Sequence, residues 1–342
     1  MAVAGPADVT VCVPAFEAEA FVGDCLEAAR RQTYDRIAVH VAVDASADAT
    51  ERACREFEAD ARFRVDARAE RLGWVGNVNY LLDRVETEFF FVLPHDDLLE
   101  PDYVASLRDS LSAAPEALVA YADVATFGAV LELRSTPGLD GDLVERVLAM
   151  LASPTEGVPF RGLTRSWALR RGLRLHDNRH AGFGAHILWV LELLCHGPFV
   201  HVPRPLYRRW VRSDPASVVQ GWDRRSPAER LAAWIEHSTA CLRAVAEVDA
   251  DAADRLRLVV ALLARGLVRG ERRNVPGWDI ADPSVRRELV LLAALAGPGL
   301  GLPAAEPDTL DALPEEDGLW TEIARMRGRR PGDAAAAGVS RG

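Results

Sequence analysis

The sequence predicts an α/β fold with a mostly parallel sheet, followed by an all-helical region. Three observations lead there. Over the first 130 residues, short apolar runs alternate with segments of helical period, the pattern of a sheet with helices on both faces. From about Ser226 the strand-like runs cease and amphipathic helical periodicity takes over. With 342 residues, 49% of them hydrophobic, the chain can bury one large core or two ordinary ones.

The elements follow in order. "VTVCVPAF" reads as the first strand, and Phe21, Val22, Cys25, Leu26 and Ala29 then recur at helical spacing. "IAVHVAVDA" is a second strand, "DATERACREFEAD" a polar helix and "FRVDARA" a short third strand. Residues 73–86 have helical period, and "EFFFVL" is the fourth strand. Pro101 stands in the first turn of the next helix, with Val104, Leu107 and Leu111 on one face. "ALVAYADVATF" is a fifth strand. Residues 131–180 are irregular and rich in Gly, Pro and Arg. "AHILWVLELLCHG" is an apolar helix stopped at Gly197, and "PFVHVPRPLYRRW" reads as a strand and a basic turn. Three helical stretches follow, in 226–248, 253–270 and 283–297, and the low-complexity end, 328–342, reads as disordered.

Composition excludes some classes. Net charge is −11, so bulk electrostatics give no support to nucleic-acid binding. Every basic side chain counted is arginine, so a bound phosphate must be held by guanidinium forks, backbone N–H groups or a metal. The five cysteines are scattered without a CxxC pair, which suggests neither a disulfide framework nor a zinc site. "MAVAGPADVTVCVPAF" has no basic n-region, and the apolar stretch "ELVLLAALAGPGLGLP" is broken by Gly and Pro and too short to span a bilayer. The expectation is a soluble, cytoplasmic protein.

In parallel α/β sheets, ligands bind outside the carboxyl ends of the strands. Asp44 ends the second strand, and "FFFVLPHDD" carries Asp96 and Asp97 to the end of the fourth. The buried strand would be a rigid stalk aiming carboxylates at the crevice. The rival reading is that such acids cap the following helix.

"VTVCVPAFEAEAFVGDCLEAARRQTY", "VAVDASADAT", "RLGWVGNVNYLL", "FFFVLPHDDLLEPDY" and "GPFVHVPRPLYRR" fall in one order and spacing. Over roughly residues 8–220 the chain thereby resembles the family 2 inverting glycosyltransferases, whose nucleotide-sugar-binding fold is called GT-A. The resemblance implies that Pro14, Phe16 and Glu17 lie against the nucleotide, with Glu17 where the family more often has Asn. It implies that Asp44 contacts the base, although the usual second acid is Ala45 here. Arg71 and Asn79 would flank the donor. Asp96 and Asp97 match the family's acidic metal motif, with Pro94 in place of a first acid. Two carboxylates without a His/Cys set suit Mn²⁺ or Mg²⁺, which would neutralise a departing diphosphate. Arg208 and Arg209, with Arg212, could close over that diphosphate.

One departure bears on catalysis. Inverting transfer needs a general base for the acceptor hydroxyl. The family supplies an Asp at the start of the helix before "GP", where this chain has Ala185 and His186. His186 could be the base, since a helix N-terminus favours a neutral imidazole. Asp177 is a second candidate. Alternatively the site has lost its base, and the chain is a degenerate sugar-nucleotide-binding or scaffolding protein.

The expectation is therefore a metal-assisted inverting glycosyltransferase with a GT-A domain over 1–223 and a helical domain over 224–327. Its partners would be a nucleotide-diphosphate sugar and an unidentified hydroxyl acceptor, without nucleic acid or a membrane span. The helical region leaves room for a homo-oligomer.

Overall fold

The computed structural model describes residues 6–136, 138–153, 155, 157–211 and 225–271. The helix expected over 283–297, the 328–342 tail and Arg212 lie outside the described residues. The rest fall into two compact units, one of Met1–Asp140 with Gly157–His237 and one of Gly141–Glu156 with the residues from Ser238 onward.

The first unit is built on a mixed sheet. Strands β1 (Val9–Ala15), β2 (Ile37–Val43), β3 (Phe63–Ala67) and β4 (Phe89–Val92) form its parallel half, in the order β3-β2-β1-β4. Helices α1 (Val22–Arg30), α2 (Thr50–Arg55) and α3 (Gly73–Leu82) connect them. The apolar positions picked out by spacing are the buried ones: Val22, Cys25, Leu26 and Ala29 all face inward on α1. β4 is buried along its whole length, which suits a strand covered on both faces. Pro14 is tolerated in the central strand β1 because the β4 ladder has already ended at Cys12, opposite Val92.

The other half departs from the mostly parallel expectation. β5 (Leu98–Leu99), β6 (Val119–Gly128), β7 (Leu133–Arg134), β8 (Leu163–Arg165) and β9 (Phe199–Val211) continue the sheet as β4-β8-β6-β9-β5, with β7 on β6. β8 runs antiparallel to both β4 and β6, and β9 runs parallel to β6. β8 is only three residues long, too short to show a period. The "basic turn" is part of the continuous strand β9, so Arg208 and Arg209 alternate across a sheet. Helices α4 (Tyr103–Ala113), α6 (Trp167–Arg170) and α7 (Ala185–His196) complete the connections, and a 3₁₀ turn spans Val158–Arg161.

The second unit contains α5 (Leu143–Ala152), in a stretch that reads as irregular. Its start is a capping box: Asp142 Oδ1 accepts from the Glu145 N–H at 2.9 Å, and Glu145 Oε2 accepts from the Asp142 N–H at 3.1 Å. Val144, Val147, Leu148 and Leu151 are buried, and α5 packs against α9 (Ala252–Glu271). Helix α8 (Pro227–Ala246) runs through the division between the units. Among the described residues no helix is long and apolar enough to cross a membrane.

Candidate active site

The carboxyl ends of β1, β2 and β4 carry half of the residues singled out in the sequence: Pro14, Phe16, Glu17, Asp44, Asp96 and Asp97. Two loops are zipped together at the ends of β1 and β2. Glu17, at φ 47°, donates its N–H to Ser46 Oγ at 3.1 Å, and its Oε1 accepts from the Ala47 N–H at 2.8 Å. The Ala18 N–H donates to Thr50 Oγ1 at 2.7 Å. Ala45 is left-handed as well, at φ 52°, a conformation that costs an ordinary residue ~1–2 kcal/mol. Phe16 lies under the Arg71 guanidinium, 3.8 Å from its ring centre, so these two sequence candidates meet as a cation–π pair.

Asp44 is 2% exposed. Its Oδ1 accepts from the Leu72 N–H at 2.7 Å and its Oδ2 from the Gly73 N–H at 2.9 Å. Both oxygens thus satisfy donors at the start of α3, where the helix leaves N–H groups unpaired. Asn77, which the sequence reading passed over, anchors the same helix by donating from Nδ2 to the Ala42 carbonyl at 2.9 Å. Asn79 is turned away from this rim: its amide makes a two-bond clip to the Leu175 backbone, at 2.8 and 3.0 Å.

The structure divides the acidic pair. Asp97 is 1% exposed. Its Oδ2 accepts from Arg161 Nε at 3.1 Å and from the Tyr207 hydroxyl at 2.8 Å, and its Oδ1 from the Trp210 N–H at 2.9 Å. Burial pushes its carboxyl up against the pull of Arg161. These three bonds tie β9 and the 158–161 turn to the end of β4 through Asp97. Asp96 is half-buried beside it. His95 points elsewhere, its Nδ1 3.1 Å from the Pro14 carbonyl. Among the described residues no three His, Cys, Asp or Glu side chains converge as a metal site. A site built on Asp96 fits only an ion that takes most of its oxygens from a substrate, which is the habit of Mg²⁺ with diphosphates.

Arg208 and Arg209 alternate across β9. Arg208 is exposed, 5.2 Å from the Phe127 ring centre. Arg209 is half-buried, and burial, then Arg161, draws its guanidinium below its ordinary pKa. Trp210, on the opposite face, packs tilted against Phe21 with ring centres 4.2 Å apart.

His186, near the start of α7, is half-buried in an aromatic box. Phe160 lies edge-on at 5.9 Å and Trp74 at 6.5 Å. A Cβ on Gly157 would come within 3.1 Å of the ring. Trp74 also donates Nε1–H to the Ala181 carbonyl at 3.0 Å. Ala181, Gly182 and Gly184 are all left-handed, at φ 54°, 69° and 74°. Asp177 is exposed, with Oδ1 accepting from the Asn178 N–H at 2.8 Å. Trp74, Phe160 and Arg161 were illegible as site residues, since a Trp, a Phe or an Arg in a helix or loop carries no spacing signal of its own.

The fold and the arrangement of this rim define a GT-A α/β unit. Residues 10–163 match the family described as Glycosyl transferase family 2. The putative glycosyltransferase EpsH of Bacillus subtilis (strain 168) is 34% identical over 97 residues, 28% of this chain and 28% of that protein. Glycosyltransferase GlyA of Streptococcus pneumoniae serotype 4 (strain ATCC BAA-334 / TIGR4) is 33% identical over 100 residues, 29% of this chain and 14% of that protein. The match thus spans less than a third of each relative's length. The crystal structure of S. aureus TarS 1-349 in complex with UDP superposes with a TM-score of 0.64 at 13% identity, covering 94% of this chain and 88% of that one.

Proposed function

We propose that the chain transfers a sugar from a nucleotide-diphosphate sugar to an acceptor hydroxyl with inversion. The observation that carries the reading is the convergence of the Phe16–Arg71 pair, Asp44 and Asp96 at the carboxyl ends of adjoining strands of a GT-A sheet. The similarity to a fold solved with UDP supports a uridine nucleotide as the first donor to test.

In this reading Pro14, Phe16, Glu17, Asp44 and Arg71 shape the nucleotide side. Asp96 would hold Mn²⁺ or Mg²⁺, which would supply positive charge to neutralise the leaving group. Asp97 positions Asp96 by fixing the strand end. Arg208 and Arg209 lie on the strand that Asp97 anchors, and Asn79 holds the segment before Asp177. The acceptor oxygen attacks the anomeric carbon, its bond to the diphosphate oxygen breaks, and a base removes the hydroxyl proton. His186 is the better candidate for that base, because it is enclosed by Trp74 and Phe160 whereas Asp177 is exposed. A sugar-nucleotide-binding protein without efficient transfer is the second reading, favoured by Ala45 and Ala185 where the resemblance implies acids.

Titration with uridine diphosphate, with and without Mn²⁺, followed by release of the nucleoside diphosphate from its sugar donors, tests both. Metal-enhanced binding with turnover supports the transferase. Binding without turnover on any donor or acceptor supports the second reading. Absence of binding by any nucleoside diphosphate refutes both.

A further inference from the structure

The hairpin between β6 and β7 carries an apolar tip into solvent. Among the described residues five large apolar side chains are exposed, and three of them fall within four positions: Val130 at 42%, Leu131 at 83% and Leu133 at 61%. Residues 128–133 are exposed throughout. Single surface leucines need no explanation, but a contiguous exposed apolar patch marks a surface that meets something other than water.

The tip is held in shape. The buried Thr126 donates its hydroxyl to the Val130 carbonyl at 2.9 Å, and its Oγ1 accepts from the Glu132 N–H at 2.8 Å. The Ala129 N–H donates to the Val211 carbonyl at 2.8 Å. Gly128, at φ 92°, lies so close to Trp210 that a Cβ would meet the indole at 2.6 Å. Folding the leucines back onto the sheet would break these bonds.

Positive charge lies behind the tip. Arg209 is paired with Thr126, Arg208 with Ala125, and Arg134 with Val124, while Ala125 is also paired with Leu133. The three arginines therefore stand one to three residues behind Leu131, or ~3–10 Å at the rise of a strand. Within 124–134 and 206–211 the one acid is Glu132, bonded to Arg134 at 3.1 Å. The local charge is thus opposite in sign to the chain's net −11. Apolar side chains that enter a bilayer interface sink ~5–10 Å into the boundary of headgroups and acyl chains. At that depth the guanidinium groups reach the level of the lipid phosphates.

A second copy of the chain fits the tip less well. Stable protein interfaces take ~20–30 residues a side, whereas the exposed stretch is 128–133 alone. Successive strand residues also point to opposite faces, so Leu133 and Arg134 make the tip a wedge and not a flat patch.

We propose that the 128–133 hairpin tip docks the chain on a lipid bilayer containing anionic lipids. β8 is antiparallel to both β4 and β6, and β9 is parallel to β6, so the tip stands at the same end of the sheet as the candidate site. Docking would hold that crevice at the bilayer surface.

The test is co-sedimentation of the full chain with vesicles of phosphatidylcholine alone and of phosphatidylcholine mixed with phosphatidylglycerol. Wild type is expected to bind the mixed vesicles more tightly and to release them as salt rises. Leu131→Ser should weaken that binding by about tenfold with an unchanged melting temperature, because its side chain is exposed. Arg134→Gln should weaken binding to the mixed vesicles by about fivefold and leave binding to phosphatidylcholine alone unmoved. Wild type that binds neither vesicle overturns the proposal, as does a Leu131→Ser, Leu133→Ser double variant that binds as wild type does. Binding that is equal on both vesicles and indifferent to salt also overturns it. So does a mass by sedimentation equilibrium that doubles in wild type and not in Leu131→Ser, without vesicle binding, which would give the tip to a second copy. Should the double variant not fold, Leu131→Ser and Leu133→Ser singly carry the same comparison.

Discussion

Replacing Asp97 by Ala tests whether it is structural. The substitution would strip one buried carboxylate from three donors: Arg161 Nε at 3.1 Å, the Tyr207 hydroxyl at 2.8 Å and the Trp210 N–H at 2.9 Å. Breaking one side of a buried ion pair costs ~3–5 kcal/mol, because the other charge stays behind. Each orphaned neutral donor would cost ~1–3 kcal/mol, not additively. Arg161 keeps some water access, its side chain being 17% exposed, so the lower part of the range is the better guide. A loss of about 4 kcal/mol corresponds to a fall in Tm of roughly 8–16 °C at ~2–4 °C per kcal/mol for a unit of this size. The assay is thermal and urea unfolding in EDTA, so that no metal contributes. Arg161→Met and the double variant complete a cycle, with an expected coupling of ~2 kcal/mol or more. If Asp97→Ala melts within about 2 °C of wild type in EDTA, or the coupling is near zero, the carboxylate is not structural and a role as a metal ligand returns.

Asp96→Ala should leave the apo melting temperature within a few degrees and abolish the extra stabilisation that Mn²⁺ gives with a nucleoside diphosphate, measured by thermal shift. His186→Ala should lower transfer by ~10²–10⁴-fold while donor affinity, by titration, stays near wild type. His186→Asp should keep transfer and move the acid limb of its pH profile down, since imidazoles ordinarily titrate near ~6.5 and aspartates near ~4. Ala181→Gly, relieving φ 54°, should stabilise by up to ~1 kcal/mol in urea unfolding, and a destabilised variant would show that the left-handed turn carries no strain.

The parallel half of the fold was legible because each strand there is a run of apolar residues and each helix shows its own period. The far half was not. β8 is three residues long and β7 two, below the length at which a period exists, and their pairing is set by tertiary contacts. α5 was missed among Gly and Pro, although its "DLVE" start carried a capping-box signal that could have found it. Spacing placed both acids of the 96–97 pair at the end of β4, and the resemblance made both of them ligands. Which of two adjacent carboxylates turns inward depends on whether a distant arginine, tyrosine and strand N–H are waiting for it, and Arg161, Tyr207 and Trp210 are 64 to 113 residues away.

Asp44 shows why capping and function need not be rival explanations for an acid at a strand end. Its two oxygens hold the first N–H groups of α3, so α3 begins where β2 ends. The residue that follows those donors is Trp74, which bonds the Ala181 carbonyl and lies edge-on to His186. The loop it grips, from Ala181 to Gly184, is left-handed at three positions. A Cβ on Gly182 would meet the Trp74 ring at 2.5 Å, so the glycine is what lets the indole approach. The end of β2, where the resemblance puts the nucleotide base, and the start of α7, where the proposed base stands, are therefore joined through one helix N-terminus. Asp44 thereby fixes the backbone from which the Trp74 indole extends.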